Sequence, residues 1–319
     1  MCGPTNAKTS AKAEDEGASS SATEEKSETV QAEKSSPLDS YGIKISDFLN
    51  PSKPWILVPN GSFRGHFDWV PPNFRTGPWN IYCCMYLAAL CYWIFLNCID
   101  AFYVRPPPAQ DIGINATNSW QHWYNVAGFF WSTYIAYKVV QSEMSWFAWT
   151  SYTLQSWTLI ILRHGLSALA PYFPACAPYS EYLRFPMLLQ ATITFVIWNF
   201  ALFPAILSQC KTPKARKGFL DMCFGFLLTQ LHVVNIVLAG VSGTWGTPAR
   251  ELTSVDFAVA LMFTLQYILF YLMILDRLGL HYYLIFSPRS PMALVWWSIY
   301  LGCIYGAFSM WNDTIQRYG

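Results

Sequence analysis

The chain has 319 residues, of which 53% are hydrophobic and only 12% are charged, and its formal net charge is +1. A soluble domain usually carries about a quarter charged residues, so this composition excludes an ordinary soluble domain. The nearly balanced charge gives no indication of nucleic acid or a polyanionic partner. We therefore predict an all-α membrane protein, a polytopic bundle whose main partner is the lipid bilayer.

The N-terminal part differs in composition from the rest. Residues 1–41 are rich in Ser, Ala, Glu, Lys and Thr, and their first aromatic residue is Tyr41. Such a segment buries too little apolar surface to offset its ordering entropy, so we predict a disordered tail. Residues 42–78 are rich in Pro and aromatic residues and are predicted to be a membrane-proximal lead-in. No apolar stretch follows Met1, so a cleavable signal peptide is not expected.

Residues 79–312 contain the predicted transmembrane bundle, because a helix needs about 20 apolar residues to cross the hydrocarbon. Six uncharged runs are long enough, at residues 79–99, 144–162, 185–210, 222–249, 257–275 and 290–312. A seventh run at 112–137 is polar in its first half and apolar and aromatic in its second. It can span the membrane or lie in the interface, where Trp and Tyr are favoured. We predict six or seven spans.

The orientation follows from the most basic connecting loop. Lys211, Lys214, Arg216 and Lys217 lie within seven residues, which favours the cytosolic side. The runs at 144–162 and 222–249 then both lead from the cytosol outward. The N-terminus faces outward with six spans and inward with seven, and the sequence does not distinguish an endomembrane from the plasma membrane.

Two polar side chains within the runs are candidate catalytic residues. Thr153 is the tenth residue of its run and His232 the eleventh, so at 1.5 Å per residue both are expected about 14 to 15 Å into the core. A hydroxyl and an imidazole at one depth can act as nucleophile and general base. Asn235, one turn from His232 on the same face, is the candidate for orienting the imidazole. The alternative is that these groups only hold helices together.

Other polar residues indicate less. Arg163-His164 closes the second run and is interpreted as an interfacial anchor. The nine cysteines lack metal-ligand spacing, and the glycines form no phosphate-binding loop, so no metal or cofactor is predicted.

Several short motifs resemble the rolling-stone-like and androgen-induced protein family of multi-pass membrane proteins. Tyr152-Thr153 followed by Gly165-Leu166 resembles that family's "YTQW…GLGSL" helix. The segment from Leu231 to Asn235 resembles its "MHSLN" element, and His281-Tyr282-Tyr283 resembles the stretch before its last helix. The resemblance implies a six-span fold and threonine hydrolysis of fatty acid esters of hydroxy fatty acids. The family's Thr and His would correspond to Thr153 and His232.

The leading hypothesis is therefore an intramembrane lipid esterase with Thr153 as nucleophile and His232 as general base. The alternative is a non-catalytic scaffold or an adhesion and fusion factor of the rolling-stone type. A transporter is a third hypothesis, which internal repeats or paired broken helices would favour, and the sequence contains neither.

Overall fold

The computed structural model describes residue 74 and residues 77–104, 114–142, 145–277, 281–283 and 286–319. The regular structure within these ranges is helical, so the all-α prediction is confirmed for them. The predicted tail at 1–41 lies outside the described residues, and so does the lead-in at 42–78 apart from Phe74, Gly77 and Pro78.

The described residues form α-helices of 4 to 27 residues. They are α1 Ile81–Ile99, α2 Trp120–Val140, α3 Tyr152–Leu169, α4 Cys176–Tyr182, α5 Arg184–Ile197, α6 Phe203–Gln209, α7 Pro213–Cys223, α8 Phe226–Thr229, α9 Asn235–Thr244, α10 Ser254–Phe270 and α11 Met292–Tyr318. A 3₁₀ helix at Ser145–Thr150 leads into α3.

Some of these helices are joined or extended by π-helical turns, which are rare in proteins and frequent at functional sites. They lie at Asp100–Val104 after α1, Trp198–Leu202 between α5 and α6, Gln230–Val234 between α8 and α9, and Tyr271–Leu275 after α10.

Within the described ranges, five helices are long and apolar enough to cross a membrane, as a multi-pass integral membrane protein requires. They cover Ile81–Tyr103, Cys176–Gln209, Phe226–Thr244, Ser254–Leu275 and Met292–Tyr318. The predicted count of six or seven spans is not confirmed, because α2 and α3 do not meet this criterion. Both helices carry buried polar side chains, such as Asn125 on α2 and Arg163 on α3, which lower their hydropathy.

Helix α5 is the centre of the bundle. It contacts α3, α9, α10 and α11, and Phe185, Leu188 and Leu189 are fully buried. Close packing depends on small residues: a Cβ added at Gly243 of α9 would lie 2.7 Å from the Leu188 side chain. A larger residue at 243 would force either the Leu188 side chain or helix α9 to shift.

A buried cluster of charges ties one end of the bundle together. The Glu181 carboxylate lies 2.9 Å from Arg184, 3.6 Å from Arg163 and 2.8 Å from Arg250. Arg250 also lies 2.6 Å from Asp256 at the start of α10. The prediction of Arg163 as an interfacial anchor is wrong, because its side chain is fully buried and donates to Ser242 and Thr247.

We expect Glu181→Gln to destabilise the fold by about 3–5 kcal/mol, because it leaves buried arginines without their shared carboxylate. Thermal unfolding of purified protein in detergent measures the change. Asp313→Asn is the matched control, since Asp313 is exposed on α11 at the same end of the bundle. Equal unfolding temperatures for the two variants would show that the cluster is not a stabilising element.

Candidate functional site

A cavity of about 750 Å³ opens at the other end of the bundle. Its wall is mostly aliphatic and aromatic, and none of its described lining residues is Asp, Glu, Lys or Arg. The volume is in the range of about 300–1,000 Å³ that is typical of ligand pockets. Three of the π-helical turns contribute to its wall, through Trp198, His232 and Tyr271. The basic helix α7 also borders the cavity, so the cavity lies toward the predicted cytosolic end.

Thr153 enters the cavity wall at the N-terminus of α3. The prediction that Thr153 lies midway along a spanning helix is wrong, because α3 begins at Tyr152 and the preceding residues form the 3₁₀ helix. Ser151 is the N-cap, and its hydroxyl accepts a hydrogen bond from the N–H of Leu154. The nucleophile candidate therefore occupies the positive end of a helix dipole, where negative charge is stabilised.

His232 lies in the π-helical turn Gln230–Val234 and is buried. Its ring stacks on Trp198, with ring centroids 4.1 Å apart. Its Nδ1 lies 3.1 Å from the carbonyl oxygen of Leu228. A carbonyl oxygen only accepts hydrogen bonds, so Nδ1 carries the hydrogen and Nε2 is left as the acceptor.

The structure brings Thr153 and His232 together. The Thr153 Oγ1 atom lies 3.4 Å from His232 Nε2. The unprotonated nitrogen therefore faces the hydroxyl, as a general base must. The distance is long for a hydrogen bond, and such contacts often shorten when substrate binds.

Asn235 does not contact the His232 ring through a hydrogen bond. Its side-chain oxygen accepts from the N–H of Ile236, and its side-chain nitrogen has no partner among the described residues. The Leu228 carbonyl occupies the orienting position instead. A backbone carbonyl leaves no signature in a sequence, so residue patterns could not have identified it.

A group of tyrosines completes the polar part of the cavity wall. Tyr152 and Tyr267 lie on helices, whereas Tyr282 and Tyr283 lie in the connection before α11. The Tyr282 hydroxyl lies 2.5 Å from Thr150 Oγ1, and the Tyr152 hydroxyl accepts from Tyr300 at 3.1 Å. The sequence drew attention to Tyr282 and Tyr283 only through the family resemblance.

The cavity extends to both sides of the Thr153–His232 pair. On the side of Tyr152 its wall reaches Leu90 of α1 and Leu301 of α11. On the side of His232 it reaches Ile206 of α6 and Phe219 of α7. A bound molecule can thus place a central polar group at the pair and apolar chains in both directions.

In the described part of the chain, no group of three or more His, Cys, Asp or Glu residues could hold a metal ion.

We expect nitrogen NMR of histidine-labelled protein to show His232 with the hydrogen on Nδ1 at neutral pH, because the Leu228 carbonyl requires a donor. Comparison with His232→Gln identifies the resonance among those of the five histidines. A His232 spectrum with the hydrogen on Nε2 would contradict the assignment of this nitrogen as the base.

Comparison with known proteins identifies no relative: no family model, no curated protein and no solved structure matches the chain.

Proposed function

We propose that the protein is an intramembrane threonine esterase that hydrolyses lipid esters, with Thr153 as nucleophile and His232 as general base. The observation that carries this proposal is the approach of His232 Nε2 to Thr153 Oγ1, 3.4 Å apart, while Nδ1 is engaged by the Leu228 carbonyl. A threonine hydroxyl is a weak nucleophile until an adjacent base removes its proton.

The reaction would proceed through an acyl-enzyme. Thr153 Oγ1 attacks the ester carbonyl as its proton passes to His232 Nε2. The tetrahedral intermediate then loses the alcohol, which takes that proton, and an acyl-threonine remains. Water attacks the acyl-threonine with His232 as base, releases the fatty acid and restores the Thr153 hydroxyl.

The shape of the cavity supports a substrate with an ester between two apolar chains. Walls of aliphatic and aromatic side chains extend past both Thr153 and His232, and burial of a chain stabilises the complex by roughly 0.8 kcal/mol per methylene. The family resemblance of the Thr153 and His232 segments adds the finer proposal, that the substrate is a fatty acid ester of a hydroxy fatty acid. Membership of the rolling-stone-like and androgen-induced family is part of the same proposal.

The local electrostatics supports the same chemistry. Thr153 is the second residue of α3, so the dipole of this helix stabilises the alkoxide and the oxyanion that form beside it. The stacked Trp198 ring excludes water from one face of His232. A dry, uncharged wall strengthens each of these electrostatic effects.

We expect Thr153→Val to lower hydrolysis of a fatty acid ester of a hydroxy fatty acid by at least about 100-fold, because valine has the shape of threonine but no hydroxyl. His232→Gln is expected to lower it by about 10²–10⁴-fold through loss of the general base. The measurement is product release by purified protein in liposomes.

Thr194→Val is the matched control. Thr194 lies in the same cavity wall, and its buried hydroxyl has no partner among the described residues. Its loss should be nearly neutral for stability and should leave hydrolysis within a few-fold of wild type. No hydrolysis by the wild type, or equal losses in all three variants, would reject the esterase and favour a non-catalytic scaffold.

A further inference from the structure

Tyr283 contributes a hydroxyl to the cavity wall from the connection between α10 and α11. Its side chain lies in the cavity wall beside Thr153 and is 8% exposed. The phenol is near the Thr153 hydroxyl, the backbone of Tyr152 and the hydroxyl of Tyr267. A phenol carries its own hydrogen, so the Tyr283 O–H can donate to an acceptor that lies beside Thr153.

A second tyrosine holds the backbone of Tyr283 in place. The Tyr271 hydroxyl donates to the carbonyl oxygen of Tyr283 at 3.1 Å and lies 3.4 Å from its N–H. The same hydroxyl lies 3.2 Å from Nδ1 of His281, whose Nε2 lies 3.2 Å from the Asp276 carboxylate. Tyr271 and His281 are almost fully buried. This chain of contacts fixes Tyr283 independently of the helix that carries Thr153.

The Asp276 end of this chain is anchored by charge. Burial alone would raise the pKa of Asp276, but the contacts with His281 and Arg289 lower it below its ordinary value. The carboxylate therefore stays ionised and keeps Arg289, at 2.5 Å, and the indole N–H of Trp79, at 2.9 Å.

Burial also keeps the phenol of Tyr283 protonated. It raises the pKa of Tyr283 to about 12, although the contact with Thr153 acts in the opposite direction. At neutral pH the side chain is a hydrogen-bond donor. A neutral donor beside the nucleophile, held by a rigid surround, is what stabilises an oxyanion in acyl transfer.

We propose that Tyr283 is a catalytic residue whose phenol donates a hydrogen bond to the carbonyl oxygen of the ester while Thr153 attacks. The assignment rests on the proposed esterase function. As the bond from Thr153 Oγ1 to the carbonyl carbon forms, the π-electron pair moves to the carbonyl oxygen, and the Tyr283 O–H stabilises that charge. The phenol keeps its proton throughout, so it needs no further reactant.

A role as helix cap alone does not account for this arrangement. Ser151 already caps α3 through the N–H of Leu154. Tyr283 adds a hydroxyl to the cavity wall near Thr153.

Tyr283→Phe tests the proposal, because it keeps the ring and its packing against Phe286 and removes only the hydroxyl. We expect kcat for lipid ester hydrolysis to fall about 10²–10³-fold, with little change in KM. The affinity for a long-chain trifluoromethyl ketone, which forms an oxyanion on Thr153, should fall by the same factor. Tyr124→Phe is the control, since it removes a hydroxyl that donates to Leu238 outside the cavity.

The outcomes separate the two proposals. An active wild type whose kcat and ketone affinity are unchanged in Tyr283→Phe overturns the role of Tyr283 and leaves the esterase standing. A wild type without hydrolysis overturns both. A loss expressed only as a raised KM also overturns the role, because the phenol would then bind the ground state.

A second measurement covers the case in which Tyr283→Phe does not fold. Wild-type protein with 3-fluorotyrosine at position 283 should show a shifted fluorine resonance when the trifluoromethyl ketone is added. The shift should be absent in the same protein carrying Thr153→Ala, which cannot form the oxyanion. An unmoved resonance with saturating ketone would overturn the proposal.

Discussion

The interior of a bilayer offers polar groups no water, so a buried polar group is costly unless it finds a partner within the protein. Among the described residues, two places show such partnering. At one end, Glu181 and Asp256 face the guanidinium groups of three arginines. At the other, the Leu228 carbonyl binds His232 and leaves one imidazole nitrogen to face Thr153. The protonation pattern that a general base needs is thus a by-product of hydrogen-bond satisfaction in an apolar surround.

Helix α3 connects the charge cluster at one end of the bundle to the Thr153–His232 pair at the other. Arg163 joins this helix to the charge cluster, and Thr153 lies at its opposite end, about 15 Å away at 1.5 Å per residue. Because Arg163 also donates to Ser242 at 2.8 Å, the end of α9 is tied to the same point. Helix α3 carries Thr153, and α9 begins directly after the π-helical turn that holds His232. The charge cluster therefore sets the relative height of the two residues of the proposed catalytic pair. The π-helical turns supply the local adjustment that brings His232 to Thr153.

Part of this arrangement could be predicted from the sequence. Uncharged runs located the apolar helices, because charge is costly in hydrocarbon whatever the fold. The pairing of Thr153 with His232 could also be predicted, although the expected depth of Thr153 in its helix is wrong. Helix α3 begins at Tyr152, eight residues after the start of the uncharged run, because Ser145–Thr150 forms a 3₁₀ helix that composition does not distinguish from an α-helix.

The remaining features depend on tertiary contacts. In the sequence, Arg163 resembles an interfacial anchor because it follows an apolar run. Only the fold shows that Glu181 lies close enough to pair with it. The place of Tyr283 beside Thr153 depends on Tyr271 holding a connection far along the chain. Asn235 shares a helical face with His232, but a shared face does not determine the hydrogen-bond partner of the imidazole. In the structure that partner is the Leu228 carbonyl.

The most direct test of the central proposal is to detect the acyl group on Thr153. Purified protein would be mixed with a lipid ester, quenched in acid within the first turnover, digested and analysed by mass spectrometry. We expect the peptide that contains Thr153 to gain the mass of the acyl chain, with fragments that place it on this residue. Steady hydrolysis without any acylated Thr153 peptide, or acylation of another residue, would contradict the threonine mechanism.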